Sequence, residues 1–93
     1  MNILPATPWR PTDVTALPGF RLHVRFNDGT EGTVELARFI NSESAGVFAT
    51  LRDEREFREA RIELGAVTWP GNLDLAPDAM HRAIKEHGTS IVD

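Results

Sequence analysis

The chain has 93 residues, 41% of them hydrophobic and 26% charged, with a formal net charge of −4. This is the profile of one small globular domain whose mildly acidic balance lacks the positive field that nonspecific nucleic-acid binding requires. It contains no cysteine, which excludes disulfides, thiolate metal sites and cysteine nucleophiles together. No apolar run approaches the roughly 18–20 residues needed to span a bilayer, and MNILPATPWRP has neither the basic start nor the apolar stretch of a signal peptide; the expected address is cytoplasmic, with no membrane partner.

Pro5, Pro8 and Pro11 each fix φ and remove a donor. They predict an extended, Pro-rich arm over residues 1–11, ahead of a single α+β domain over 12–88 and a tail over 89–93. Trp9 in the arm either covers an edge of its own core or anchors a partner, because exposed indoles gather at interfaces. A short strand is expected near Asp13–Leu17.

From Phe20 the apolar period is two: Phe20, Leu22, Val24 and Phe26 alternate with Arg21, His23 and Arg25. Asn27-Asp28-Gly29 interrupts the pattern, and Thr30 to Leu36 resumes it. A two-residue Asp28-Gly29 loop would set Phe26 opposite Glu31 and Val24 opposite Thr33, mixing the faces. A three-residue loop pairs Leu22 with Val34, Phe20 with Leu36, Arg25 with Glu31 and Arg21 with Glu35. That register satisfies both faces and puts Gly29 at the left-handed loop position.

Apolar spacing then turns helical at Leu36, Phe39 and Ile40 and again at Val47, Phe48 and Leu51. Asn41–Gly46 interrupts it, so two short helical pieces are expected. Asp53 with Glu56 forms a capping-box pattern, and one further turn should carry Phe57 inward. Residues 60–64 alternate. With Gly65-Ala66 as the turn, Ile62 would face Trp69 and Leu64 would face Val67, while Pro70 ends the strand. A last helix should run from Pro77 to about His87, with Ala76, Ala79, Met80, Ala83 and Ile84 as its apolar stripe and Gly88 as terminator. The expected fold class is α+β: a small antiparallel sheet of two hairpins, short helices between them and a C-terminal helix.

Few residues suggest chemistry. Ser42, Ser44 and Ser90 lack the Gly-x-Ser-x-Gly elbow, so no catalytic residue is assigned. His81 and His87 lie about 240° apart around a helix and His23 is flanked by arginines, so the three histidines read as surface residues. Asp28, Asp74 and Asp78 could offer oxygens to a hard cation, yet they follow no calcium-loop pattern; neither metal nor cofactor is expected. Arg52, Arg55, Arg58 and Arg61 alternate with acids and spread round a helix, which predicts a salt-bridged solvated segment. The segment VTWPGNLDL is the most specific stretch. Its structural reading makes Trp69 core, Pro70-Gly71 a turn and Asp74 an acceptor of main-chain amides at the start of the last helix. Its functional reading makes Trp69, Asn72 and Asp74 a recognition patch.

Phe26-Asn27-Asp28-Gly29, Gly46-Val47-Phe48, Leu51-x-Asp53, Phe57 and Val67-x-Trp69-Pro70-Gly71-Asn72-x-Asp74-Leu75-x-Pro77-Asp78-x-Met80 follow one another in this order. The sequence thereby resembles the small bacterial family called domain of unknown function 2442, over about residues 13–82. His81 stands where many members carry tyrosine, which puts any role of that hydroxyl in doubt for this chain. The resemblance implies no established activity. It implies a gene often adjacent to one for domain of unknown function 4160, in a toxin–antitoxin-type arrangement. Some relatives add a C-terminal helix-turn-helix domain, for which a chain ending at Asp93 is expected to leave no room.

The leading expectation is a non-enzymatic intracellular module that binds another small protein, through Trp9 and the rim around Trp69, Asn72 and Asp74. Pairing between copies of the chain stays open, since the arm and edge strands could swap. The alternatives are a DNA-contacting regulator using the Arg21/His23/Arg25 face, although nucleic acid is not the expected partner, and a small enzyme centred on Asp74.

Overall fold

A computed structural model describes residues 9–93. The order is β1 (Pro11–Leu17), β2 (Arg21–Phe26), β3 (Glu31–Glu35), α1 (Ala37–Ile40), a 3-10 segment (Glu43–Arg52), α2 (Glu54–Phe57), β4 (Arg61–Glu63), β5 (Ala66–Trp69), β6 (Leu73–Asp74), α3 (Pro77–His87) and β7 (Thr89–Ile91). The α+β class holds. The strands form two small sheets, ordered β1-β2-β3-β7 and β4-β5-β6, with each hairpin in its own sheet.

The first hairpin has the register that face-matching demands: Leu22 opposite Val34, Arg25 opposite Glu31 and Arg21 opposite Glu35. Phe20 meets Leu36 through a Leu36 N–H to Phe20 carbonyl bond of 2.9 Å. Gly29 closes the three-residue loop at φ 87°, a left-handed angle that costs glycine little. Inward-facing Leu22, Val24, Phe26 and Val34 are all buried. β1 begins at Pro11, which pairs with Phe26 and is itself buried, so the last residue assigned to the arm belongs to the sheet. The rest of the arm before Trp9 lies outside the described residues.

Two expectations change at the other end. Thr89–Ile91, read from sequence as part of a tail, forms β7 and pairs in parallel with Thr33–Glu35 of β3. The helix α3 that precedes it packs on both strands, and its buried side chains are Met80, His81 and Ile84. Ala76 and Ala79 are exposed, so the stripe is rotated towards His81. Gly88 ends the helix at φ 80° and donates to the Ile84 carbonyl at 2.7 Å, as a left-handed terminator does. Gly32 on β3 permits the close approach of α3: a Cβ there would lie 2.6 Å from the Gly88 carbonyl oxygen and 2.7 Å from Ile84 Cγ2.

Between β3 and β4 the helical pieces are short. α1 buries Ile40, and Asp53 caps α2 by accepting from the Arg55 N–H at 2.9 Å. Gly46, at φ 57°, kinks the 3-10 segment, so Val47 points outward while Leu51 stays buried. Arg52 is no mere solvated charge. Its Nε donates to the Ile40 carbonyl at 2.8 Å and its guanidinium reaches the Ser42 carbonyl at 3.1 Å, satisfying acceptors left free at the end of α1. No helix among the described residues is long and apolar enough to cross a membrane.

Candidate functional site

The segment VTWPGNLDL is itself a hairpin. Val67, Thr68 and Trp69 lie in β5, Pro70-Gly71-Asn72 turn the chain, and Leu73-Asp74 form β6, with Trp69 opposite Leu73 and Thr68 opposite Asp74. Asn72 adopts φ 64°, a left-handed angle that asparagine tolerates better than most side chains. Trp69 is wholly buried and its indole N–H donates to the Phe57 carbonyl at 2.8 Å. Its ring packs on Phe57 and Phe48 at centroid distances of 5.9 and 6.3 Å. Trp69 therefore belongs to the core, and its polar atom is spent on the main chain.

Asp74 does not tie down helix amides. It is exposed on β6, and the residue at the start of α3 is Ala76, without a side-chain cap; Pro77 follows, so one N–H that would need an acceptor is missing. Asp74 and Asn72 instead line a shallow cleft of about 170 Å³ with Glu63, Leu64, Ala66 and Thr68. Glu63 is the other ionisable group in that lining, and no histidine is part of it.

Leu64 is the residue that sequence reasoning missed. The pairs of the second hairpin are Ile62 with Val67 and Glu63 with Ala66, so Leu64-Gly65 is the turn and the expected Gly65-Ala66 turn is displaced. Both turn residues have positive φ, 51° and 78°, the signature of a type I′ turn. Leu64 consequently faces solvent with its whole surface instead of meeting Val67. A leucine there is strained, since its Cβ crowds the backbone in the left-handed region. The only sequence signal was the glycine, which serves the second position of such a turn.

Trp9 stands elsewhere. It is 39% exposed and borders a cleft of about 360 Å³ with Asp78, His81, Arg82, Lys85 and Glu86. His81, expected on the surface, is buried: its ring meets the edge of Phe26 at 5.1 Å and its Nε2 lies 2.9 Å from Asp28 Oδ2. Lys85 Nζ is 3.5 Å from the same oxygen. The Thr30 N–H, which donates to Asp28 Oδ1 at 2.9 Å, and then the His81 hydrogen bond hold the Asp28 carboxyl well below the usual carboxylate range. This latch joins the β2–β3 loop to α3.

On the outer face of the first hairpin, His23 Nε2 lies 3.0 Å from Glu31 Oε1, and Arg21 Nε donates to the Pro18 carbonyl at 2.9 Å. Glu31 and Glu35 stand opposite Arg25 and Arg21 across the hairpin, so acidic side chains border the basic row. Asp28, Asp74 and Asp78 do not converge, and no group of three or more metal-capable acids or histidines gathers among the described residues.

The fold and its surfaces define a small α+β domain with two sheets and shallow clefts. The chain belongs to the family described as protein of unknown function (DUF2442), whose model matches residues 11–86. No curated protein and no solved structure matches it significantly.

Proposed function

We propose that this protein is a non-enzymatic cytoplasmic binding module whose ligand is another small protein. The observation that carries the reading is Leu64, a wholly exposed leucine at φ 51° on a hairpin tip. It adds no buried surface, and its left-handed backbone costs about 1 kcal/mol or more. Strain of this kind, carried on an exposed apolar tip, is accounted for when a partner covers the side chain. Asn72 and Asp74, beside it in the same cleft, supply polar groups for the rim of such a contact.

The family resemblance supplies a candidate partner: the product of an adjacent gene for domain of unknown function 4160. This chain would then be the partner or antitoxin-like half of a two-gene pair. Co-expression of the two proteins followed by size exclusion tests the reading. Co-elution is the expected result; two independent peaks at micromolar concentration overturn it.

A further inference from the structure

β7 closes one side of the larger sheet. It pairs with β3 and with no other strand among the described residues. The Val92 N–H donates to the Glu35 carbonyl at 2.9 Å, so the main-chain groups of Val92 turn towards β3. That direction alternates along a strand. The N–H and carbonyl of Thr89, Ile91 and Asp93 therefore turn to the open side.

The side chains at this edge are apolar on both faces. The cross-strand row that ends here runs through Arg21 and Glu35 to Ile91, so two charged positions are followed by an isoleucine that is 58% exposed. On the face that α3 covers, Ala76 and Ala79 lie exposed and border a groove of about 240 Å³ with Leu75, Met80, Ser90 and Val92. No charged side chain lines that groove.

Charge decides which occupant fits. An acidic or basic segment would set its charge against a neutral lining, whereas a second copy brings the same uncharged surface. Each chain carries a net charge of −4, yet none of it lies in that lining, so two copies meet there without opposing like charges. A closed two-fold pair of edge strands is antiparallel. Among the outward-turned positions, Ile91 can face Thr89, Asp93 or Ile91 of the second copy. The last register sets apolar against apolar, as in the first hairpin. It also leaves Asp93, whose carboxylate lies 3.3 Å from Arg38, opposite a threonine.

We propose that β7 is the seam of a symmetric homodimer, in which the edge strands of two copies pair antiparallel about Ile91 and join the two larger sheets into one. Leu64 sits on the other sheet, so this pairing goes beyond the contact proposed above and stands or falls separately.

A three-residue strand makes a small contact, so the expected dissociation constant is on the order of 100 µM, which sedimentation equilibrium over about 10 µM to 1 mM brackets. Ile91→Lys sets two ammonium groups opposite each other and should raise that constant about tenfold or more. The chain has no cysteine, so Ile91→Cys places a single thiol at the two-fold axis. Directly opposed Cα atoms of such a pair lie about 5.5 Å apart, within disulfide reach. Mild oxidation should therefore cross-link Ile91→Cys several-fold faster than Val47→Cys, which puts a thiol at another exposed position.

A monomer at about 1 mM, an undiminished dimer in Ile91→Lys, or equal cross-linking of the two cysteine variants overturns the proposal. Co-elution with the adjacent-gene product reads the binding proposal alone, whichever way the dimer measurement falls.

Discussion

Replacing Leu64 with asparagine should make the protein more stable. The side chain is wholly exposed, so removing it forfeits no buried area and leaves no cavity. The backbone at φ 51° costs leucine roughly 1–2 kcal/mol, and asparagine recovers part of this because its short polar side chain suits the left-handed region. Asn-Gly is also the favoured pair for a two-residue hairpin turn. The net expectation is a gain of about 1 kcal/mol, or roughly 4–8 °C in Tm for a domain of this size. Thermal unfolding followed by circular dichroism measures it, with urea midpoints at constant slope as a check. Leu64→Ala keeps the strained backbone and should move stability by less than about 0.5 kcal/mol. A lower Tm for the asparagine variant, or an equal gain for alanine, would refute the attribution to backbone strain.

Gly32→Ala should destabilise by about 1–3 kcal/mol in urea titrations, because its Cβ would meet the Gly88 carbonyl and Ile84; a neutral result would mean that α3 moves away freely. Trp69→Phe strands the Phe57 carbonyl and shrinks a packed ring, for an expected loss of about 2–4 kcal/mol by the same assay. Asp28 has its carboxyl depressed in the folded state, so its contribution is present above the unfolded carboxylate value of about 3.9 and is lost as pH falls below that value. The stability gap between the native protein and Asp28→Asn should therefore narrow on acidification from pH 5 towards 2.5, roughly the window this linkage sets; a constant gap would refute the assignment.

The first hairpin was legible because both of its faces carry information. Apolar Leu22 and Val34 had to match, acidic Glu31 and Glu35 had to oppose arginines, and Gly29 fixed the loop. The second hairpin was misplaced by two residues because the rules assume that leucine avoids positive φ and seeks the interior, and Leu64 does neither. β7 left no periodic trace: three residues, Thr89–Ile91, owe their extended form to β3, and such pairing has no local signal. His81 looked solvated because its partner, Asp28, stands 53 residues away in sequence. Asn72 and Asp74 stood out through their turn chemistry, although Trp69 beside them is buried and Asp74 does not cap α3. The exposure of Trp9 and the burial of Trp69 both depended on tertiary packing.

The parallel pairing of Thr33 with Thr89 joins positions 56 residues apart, while β1, β2 and β3 meet through tight turns. Near contacts close quickly and remote ones slowly, so the larger sheet should exist first as a three-stranded meander with the open flank of β3 bare. In that interval the flank is a template for sticking to other unfinished chains. Pulse-labelled hydrogen exchange should catch it as late protection of the β7 amides, and simultaneous protection of all four strands would rule such an interval out.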